Sequence, residues 1–139
     1  MPIRNCPLTC RPGGYYSAYL PIRIINPHTK KSQRTLALID TGADECVIPS
    51  RLAEILGHKL EAGDAKPVST GNDRAIAYSH TTTIKIYHPV TGVLIDTIAN
   101  TPIDFMPVET VLLGVKSFLS NYRLIIDYPA QNFSLIKAK

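Results

Sequence analysis

The 139-residue chain has no tryptophan, only three cysteines, and no apolar run of membrane-spanning length. Each shortage excludes something. An odd and sparse set of cysteines (Cys6, Cys10, Cys46) argues against the disulfide framework of a secreted domain. Cys6 and Cys10 have a spacing that zinc sites use, but no second pair follows to complete four ligands. Cys46 lies on an apolar strand and reads as a buried, inert thiol. The first residues, MPIRNCPLTCRPGG, lack the apolar centre of a secretion signal. The expectation is a soluble protein of a reducing compartment, the cytoplasm. The histidines at 28, 58, 80 and 88 show no helical ligand spacing, and none reads as a catalytic base. His80 and His88 share one strand region and are expected to face solvent. No metal and no cofactor are expected.

Hydrophobic residues make up 45% and charged residues 19%, the balance of a globular chain. The length suits one domain able to bury a core without staples. The net charge is +4 and the pI about 9.0. The cations are mostly scattered, and the densest group, Lys30, Lys31 and Arg34, has no interleaved aromatics. It reads as a solvated surface, and nucleic acid is not an expected partner. Eleven prolines and eight glycines interrupt short apolar runs, which favours strands over long helices.

Residues 1–14 read as an irregular arm ending in Gly13-Gly14, and 15–139 as the folded domain. Alternation and β-branching predict strands over 15–26 and 33–40, joined by a turn at 27–32. Leu36, Leu38 and Asp40 share one face of the second strand, with Ala37 and Ile39 on the other, so burial on both sides is expected. A strand at 45–48 leads into a short helix over 51–56, with Ser50 as N-cap and Gly57 as stop. Residues 64–70 and 75–88 form two arms of a long hairpin, its tip at Thr70-Gly71-Asn72-Asp73. Strands follow at 93–99, 103–108, 123–128 and 132–137, with a short buried run at 111–114 and a helical turn or two over 116–121. The fold class is mainly β, a closed or strongly curled barrel with one or two short helices.

One constellation carries chemistry: Ile39-Asp40-Thr41-Gly42-Ala43-Asp44. A carboxylate at the end of an apolar strand is costly unless something uses it. The Thr41 hydroxyl can brace neighbouring backbone. Gly42 has no Cβ, so backbone donors can approach the acid closely. Two such loops face to face bring two carboxyls into contact, and two like charges that close share one proton. One member is then base and the other acid, enough to activate water against an amide carbonyl. The chain holds no second Asp-Thr-Gly: Asp96 precedes Thr97 and Ile98, and Asp127 precedes Tyr128. The chemistry therefore requires a second copy of the chain.

The segment LALIDTGADECVIP resembles the active-site strand and loop of the retropepsins, the retroviral-type aspartic proteases. The turn at residues 69–74 sits where that family has its flap, and Val111-Leu112-Leu113-Gly114 is similar to its second apolar-apolar-Gly motif. Free-standing chains of this size resemble the cellular members. The resemblance implies a homodimeric aspartic endopeptidase with Asp40 as catalytic acid, Thr41, Gly42 and Ala43 in the active-site loop, and peptide or protein as substrate. Substrate would contact Gly42 through its carbonyl, Asp44, and the flap tip at Thr70, Gly71 and Asn72. Ile39, Val47 and Ile48 would line or support the cleft. Two features depart from the pattern. Val115 stands where viral enzymes carry an arginine that fixes the acid at the Asp44 position, with Lys116 beside it as a substitute, and the flap tip holds fewer glycines. They leave open a second reading, a retropepsin fold kept for binding or assembly with little or no proteolysis.

Overall fold

The computed structural model describes residues 2–70 and 73–138. Twelve strands are present among them: β1 (Ile3–Pro7), β2 (Thr9–Arg11), β3 (Tyr15–Ser17), β4 (Tyr19–Ile25), β5 (Ser32–Ile39), β6 (Val47–Pro49), β7 (Asp64–Thr70), β8 (Asp73–Tyr87), β9 (Leu94–Met106), β10 (Val111–Leu113), β11 (Tyr122–Asp127) and β12 (Asn132–Lys137). Seven of these form one sheet in the order β4-β5-β10-β6-β9-β8-β7. A further pairing of β4 with β8 closes the sheet on itself, leaving β7 outside the ring. The result is the mainly β, closed architecture expected, and the closure removes the open edges of the six ring strands.

Alternation explains the closure. On β4 the residues Leu20, Ile22 and Ile24 point inward and are fully buried, with partly exposed neighbours, and Ile84 and Ile86 of β8 are fully buried on either side of the partly exposed Lys85. All three phenylalanines, Phe105, Phe118 and Phe133, are fully buried, each worth about 1.5–3 kcal/mol of transfer free energy. They belong to one continuous core that joins the barrel to a second sheet, β1-β12-β11. Tyr122 of β11 ties the two together. Its hydroxyl donates to Asp96 Oδ2 of β9 at 2.6 Å, and burial, then this carboxylate, raises its pKa.

Several local expectations are corrected. Residues 1–14 are not irregular: β1 pairs with β12, β2 pairs with β3, and Ile3, Cys6 and Leu8 enter the core. The strand expected over 15–26 breaks at Ala18 into β3 and β4, where the Ala18 carbonyl accepts from Ile39 N–H. β5 is buried on one face only, through Ala37 and Ile39, and Leu36 is 49% exposed. The helix expected over 51–56 is a 3-10 turn at Ser50–Leu52, and Ser50 lies inside it without capping by its side chain. Gly57 does end this segment, at φ 76°, with Gly57 N–H on Glu54 O and His58 N–H on Ala53 O, the paired bonds of a Schellman motif. The two strands expected at 93–99 and 103–108 are one, β9. The helical segment near 116–121 is a single 3-10 turn, Leu119–Asn121. His88 does not face solvent. It is 7% exposed, and its Nδ1 accepts from Val90 and Thr91 N–H. Cys6, whose thiol burial pushes up, lies 4.0 Å from its Nε2.

The register also gathers cations that are far apart in sequence. Arg23 of β4 stands directly opposite Arg34 of β5 on one side and Lys85 of β8 on the other. Ion pairs among the described residues involve Lys66 alone on the cationic side, so none of the three has a carboxylate partner there. The Arg23 Nε is buried without a hydrogen-bond partner. Like charges directly opposite destabilise a sheet. Arg34→Glu is therefore expected to raise stability by about 0.5–1 kcal/mol in low salt and by less in high salt. Urea midpoints at both salt concentrations check this, and a lower midpoint for the variant would show that the row is not repulsive.

Candidate active site

β5 ends at Ile39, and Asp40 follows where the chain leaves the barrel wall. β10 runs parallel to β5, pairing Val111 with Ala37 and Leu113 with Ile39. The next rung is Asp40 N–H donating to Leu113 O at 3.1 Å. Asp40 is thus set by the sheet. Its Oδ1 accepts from Gly42 N–H at 2.9 Å, and Ala43 N–H donates to the Asp40 carbonyl at 3.2 Å. A Cβ on Gly42 would lie 3.3 Å from that carboxylate oxygen, so glycine leaves the acid open.

The loop is held from below by the chain after β10. Val115 N–H donates to Ala43 O at 2.9 Å, and Lys116 N–H donates to Asp44 O at 2.8 Å. This approach needs Gly114. A Cβ there would overlap the Glu45 carbonyl and sit 2.8 Å from Ala43 O. The Lys116 ammonium makes no ion pair with Asp44 among the described residues, so backbone donors hold this loop. Beside it, Cys46 is 3% exposed. Burial raises its pKa against a hydrogen bond with the Gly114 backbone, which leaves it a neutral packing group.

Asp40, Gly42, Ala43 and Asp44 open together into a cleft of about 670 Å³. Val47 and Leu112 form its apolar floor, while Ile39 and Ile48 lie in the core beneath. Thr41 is exposed and is not in the cleft wall. β7 and β8 make the expected long hairpin, in register from Asp64 opposite Ser79 to Thr70 opposite Asp73. Val68 and Ser69 of its first arm face the cleft. Gly71 and Asn72 lie outside the described residues, as does the side chain of Thr70.

Three lining residues from β9 and just beyond it, Asp104, Met106 and Val108, were not foreseen. The signal was there: Asp104 is an acid set between Ile103 and Phe105, the same anomaly that marks Asp40. Asp104 accepts from Lys66 Nζ of β7 at 2.7 Å, and Glu45 lies 3.8 Å from the same nitrogen. The hydrogen bond to Asp104 is the main cause of the raised Lys66 pKa. This pair ties the first arm of the hairpin to the cleft wall.

The close approach at Gly114 sets a test. In Gly114→Ala the clash is with backbone, which cannot rotate away. The substitution is expected to cost roughly 1–3 kcal/mol in urea denaturation. An unchanged midpoint would show that the loop over it can shift freely.

The sequence matches the aspartyl protease family model over residues 27–116. No curated protein matches the chain in sequence. Among solved structures, a retropepsin-like aspartic protease from Rickettsia conorii is similar, at 18% identity and a TM-score of 0.60, covering 96% of this chain and 99% of its own. The retroviral protease-like domain of Ddi1 from Leishmania major is similar at 17% identity and a TM-score of 0.50, covering 88% and 94%. These two establish the shared fold. With Asp40-Thr41-Gly42 at the end of a barrel strand and the family's model spanning most of the barrel, the chain belongs to the aspartyl protease family, with a retropepsin-like fold.

Proposed function

We propose that the protein is a homodimeric aspartic endopeptidase in which water, held between Asp40 and Asp40 of the partner subunit, attacks a peptide bond. The observation that carries this is the placement of Asp40. It is the acid of the chain's one Asp-Thr-Gly, fixed by the sheet at the mouth of a cleft, with one carboxylate oxygen held by Gly42 N–H.

The pair holds one proton between its two members. The ionised carboxylate takes a proton from water as the water oxygen bonds to the scissile carbonyl carbon. The protonated carboxyl gives its proton to the carbonyl oxygen, and a neutral diol results. Collapse of the diol breaks the carbon–nitrogen bond and passes a proton to the leaving nitrogen. Thr41, exposed beside the acid, braces the loop across the dimer. The Gly42 carbonyl and the Asp44 carboxylate engage the substrate backbone, with Thr70, Gly71 and Asn72 as further substrate-binding residues. The peptide lies extended, as an added strand, with its side chains in the apolar floor. The departure at Val115 does not undo this, because the backbone N–H groups of Val115 and Lys116 fix the loop. The three unpaired thiols fit a reducing compartment such as the cytoplasm. No described helix is long and apolar enough to cross a membrane.

Asp40→Asn tests the reading. The wild type is expected to sediment at twice 15.3 kDa and to cleave members of a peptide library. The variant should stay dimeric and lose cleavage by at least roughly a hundredfold. Equal cleavage by both would remove the proposal, and a dimer of wild type that binds peptides without cutting them would favour a binding or assembly module.

A further inference from the structure

Four polar side chains from three segments meet at the root of the β7–β8 hairpin: Asn26 after β4, His58 after the Gly57 turn, and His80 and Thr82 on β8. Their hydrogen-bond roles are fixed by their partners. Asn26 Oδ1 accepts from His28 N–H at 2.9 Å, so its amide nitrogen is the other atom, donating to Leu56 O at 2.9 Å and to His58 Nδ1 at 3.3 Å. Thr82 Oγ1 gives its proton to His80 O at 2.9 Å, which leaves it to accept from His58 Nε2 at 3.3 Å. His58 is therefore neutral, with its proton on Nε2 and an N–H aimed at its free lone pair. His80 Nε2 donates to Leu60 O at 2.8 Å. The two rings stack with centroids 4.5 Å apart, and both pack edge-on against Phe105.

This cluster grips the hairpin. Gly63, the residue before β7, lies against His80 so closely that a Cβ would fall 2.7 Å from Nε2. His80 and Thr82 are on the hairpin's second strand. A second proton on His58 has no acceptor, because Nδ1 would point a hydrogen at the Asn26 amide, itself a donor. The groups that face it offer no counter-charge. They are His28 from the β4–β5 turn, His80 and Thr82 from β8, and Phe105 from β9. Asp104, next to Phe105, is taken by Lys66. Lys59 and Glu61 follow His58 along its own segment.

We propose that the His58–His80 cluster is an acid-released latch: the neutral His58 ring, packed on His80, pins the hairpin root, and proton uptake by His58 ejects it from Asn26 and Thr82 and frees the hairpin to swing. Burial first, then the charges of His80 and His28, pull the His58 pKa from 6.5 to about 4. An opened root returns the ring to the ordinary value, so the open form takes the proton first. The grip is intact above about pH 6.5 and is lost as pH falls to about 4. That the freed hairpin admits substrate rests on the proposed protease reading; the latch itself does not.

Hydrogen exchange read by mass spectrometry, corrected for the intrinsic pH dependence of exchange, tests the latch in full-length Asp40→Asn protein, which removes self-cleavage. Between pH 6.5 and 4, protection of residues 64–82 is expected to fall roughly tenfold or more, with β11 and β12 unchanged. His58→Phe, which keeps a ring but cannot titrate, should make hairpin exchange the same at both pH values, whatever its level. His80→Phe should keep the pH step, because His58 remains. A proton NMR titration of His58 should give a midpoint clearly below 6.5. Constant protection in the parent, an equal fall in His58→Phe, a fall shared by the whole chain, or a His58 midpoint near 6.5 would each overturn the proposal. Loss of cleavage in wild type with the latch intact would count against the protease reading alone.

Discussion

The backbone contact between Gly114 and the loop from Ala43 to Glu45 governs the geometry of the cleft. There the chain after β10 runs directly under the chain after β5, close enough that no side chain fits between. Three hydrogen bonds follow from that approach: Asp40 N–H to Leu113 O, Val115 N–H to Ala43 O, and Lys116 N–H to Asp44 O. Two of them hold carbonyls of the loop, and the first holds the amide of Asp40 itself. With the backbone fixed at both ends, Gly42 N–H comes to Asp40 Oδ1 and orients the carboxyl. An acid presented in this way is oriented by the backbone around it, the kind of preorganisation that the proposed chemistry would use.

Much of this was legible in the sequence, for an identifiable reason. A carboxylate at the end of an apolar strand contradicts its surroundings, and such contradictions single out candidate sites. The same logic applied to Asp104 would have extended the cleft to β9. What escaped reading escaped for physical causes. Prolines 2, 7 and 12 suggested an irregular start, yet β1 is an edge strand with Pro7 as its last residue, where a missing N–H costs little. Asn100-Thr101-Pro102 suggested a break, yet β9 continues through it. Asn100 takes φ 46°, its N–H donates to Thr83 Oγ1 at 3.0 Å, and its Oδ1 accepts from the same hydroxyl at 3.2 Å. The extra residue becomes a bulge between Thr82 and Ile84 instead of a loop.

Other features have no local signal at all. The row Arg34, Arg23 and Lys85 exists only because β4 pairs with β5 and with β8 at once. The residues 26, 58, 80 and 82 share a hydrogen-bond network only because the barrel closes. A single sequence shows such residues as scattered polar positions. Register is what makes them neighbours, and register is a property of the closed sheet as a whole.

β8 shows how the two ends of this structure are coupled. It is 15 residues long and changes partners along its length. From Asp73 to Ser79 it pairs with β7, and from Thr83 to Ile86 with β4. At residues 80–82 neither of those partners is present, and β9 alone pairs with it. A strand paired on one side has backbone groups and side chains to satisfy by other means. His80 and Thr82 stand in that gap, and the His58 ring fills it. The polar cluster is therefore the mechanical joint between barrel and hairpin. The same strand pairs with β9, which brings Asp104 and Met106 into the cleft, so the joint and the cleft wall belong to one continuous ladder.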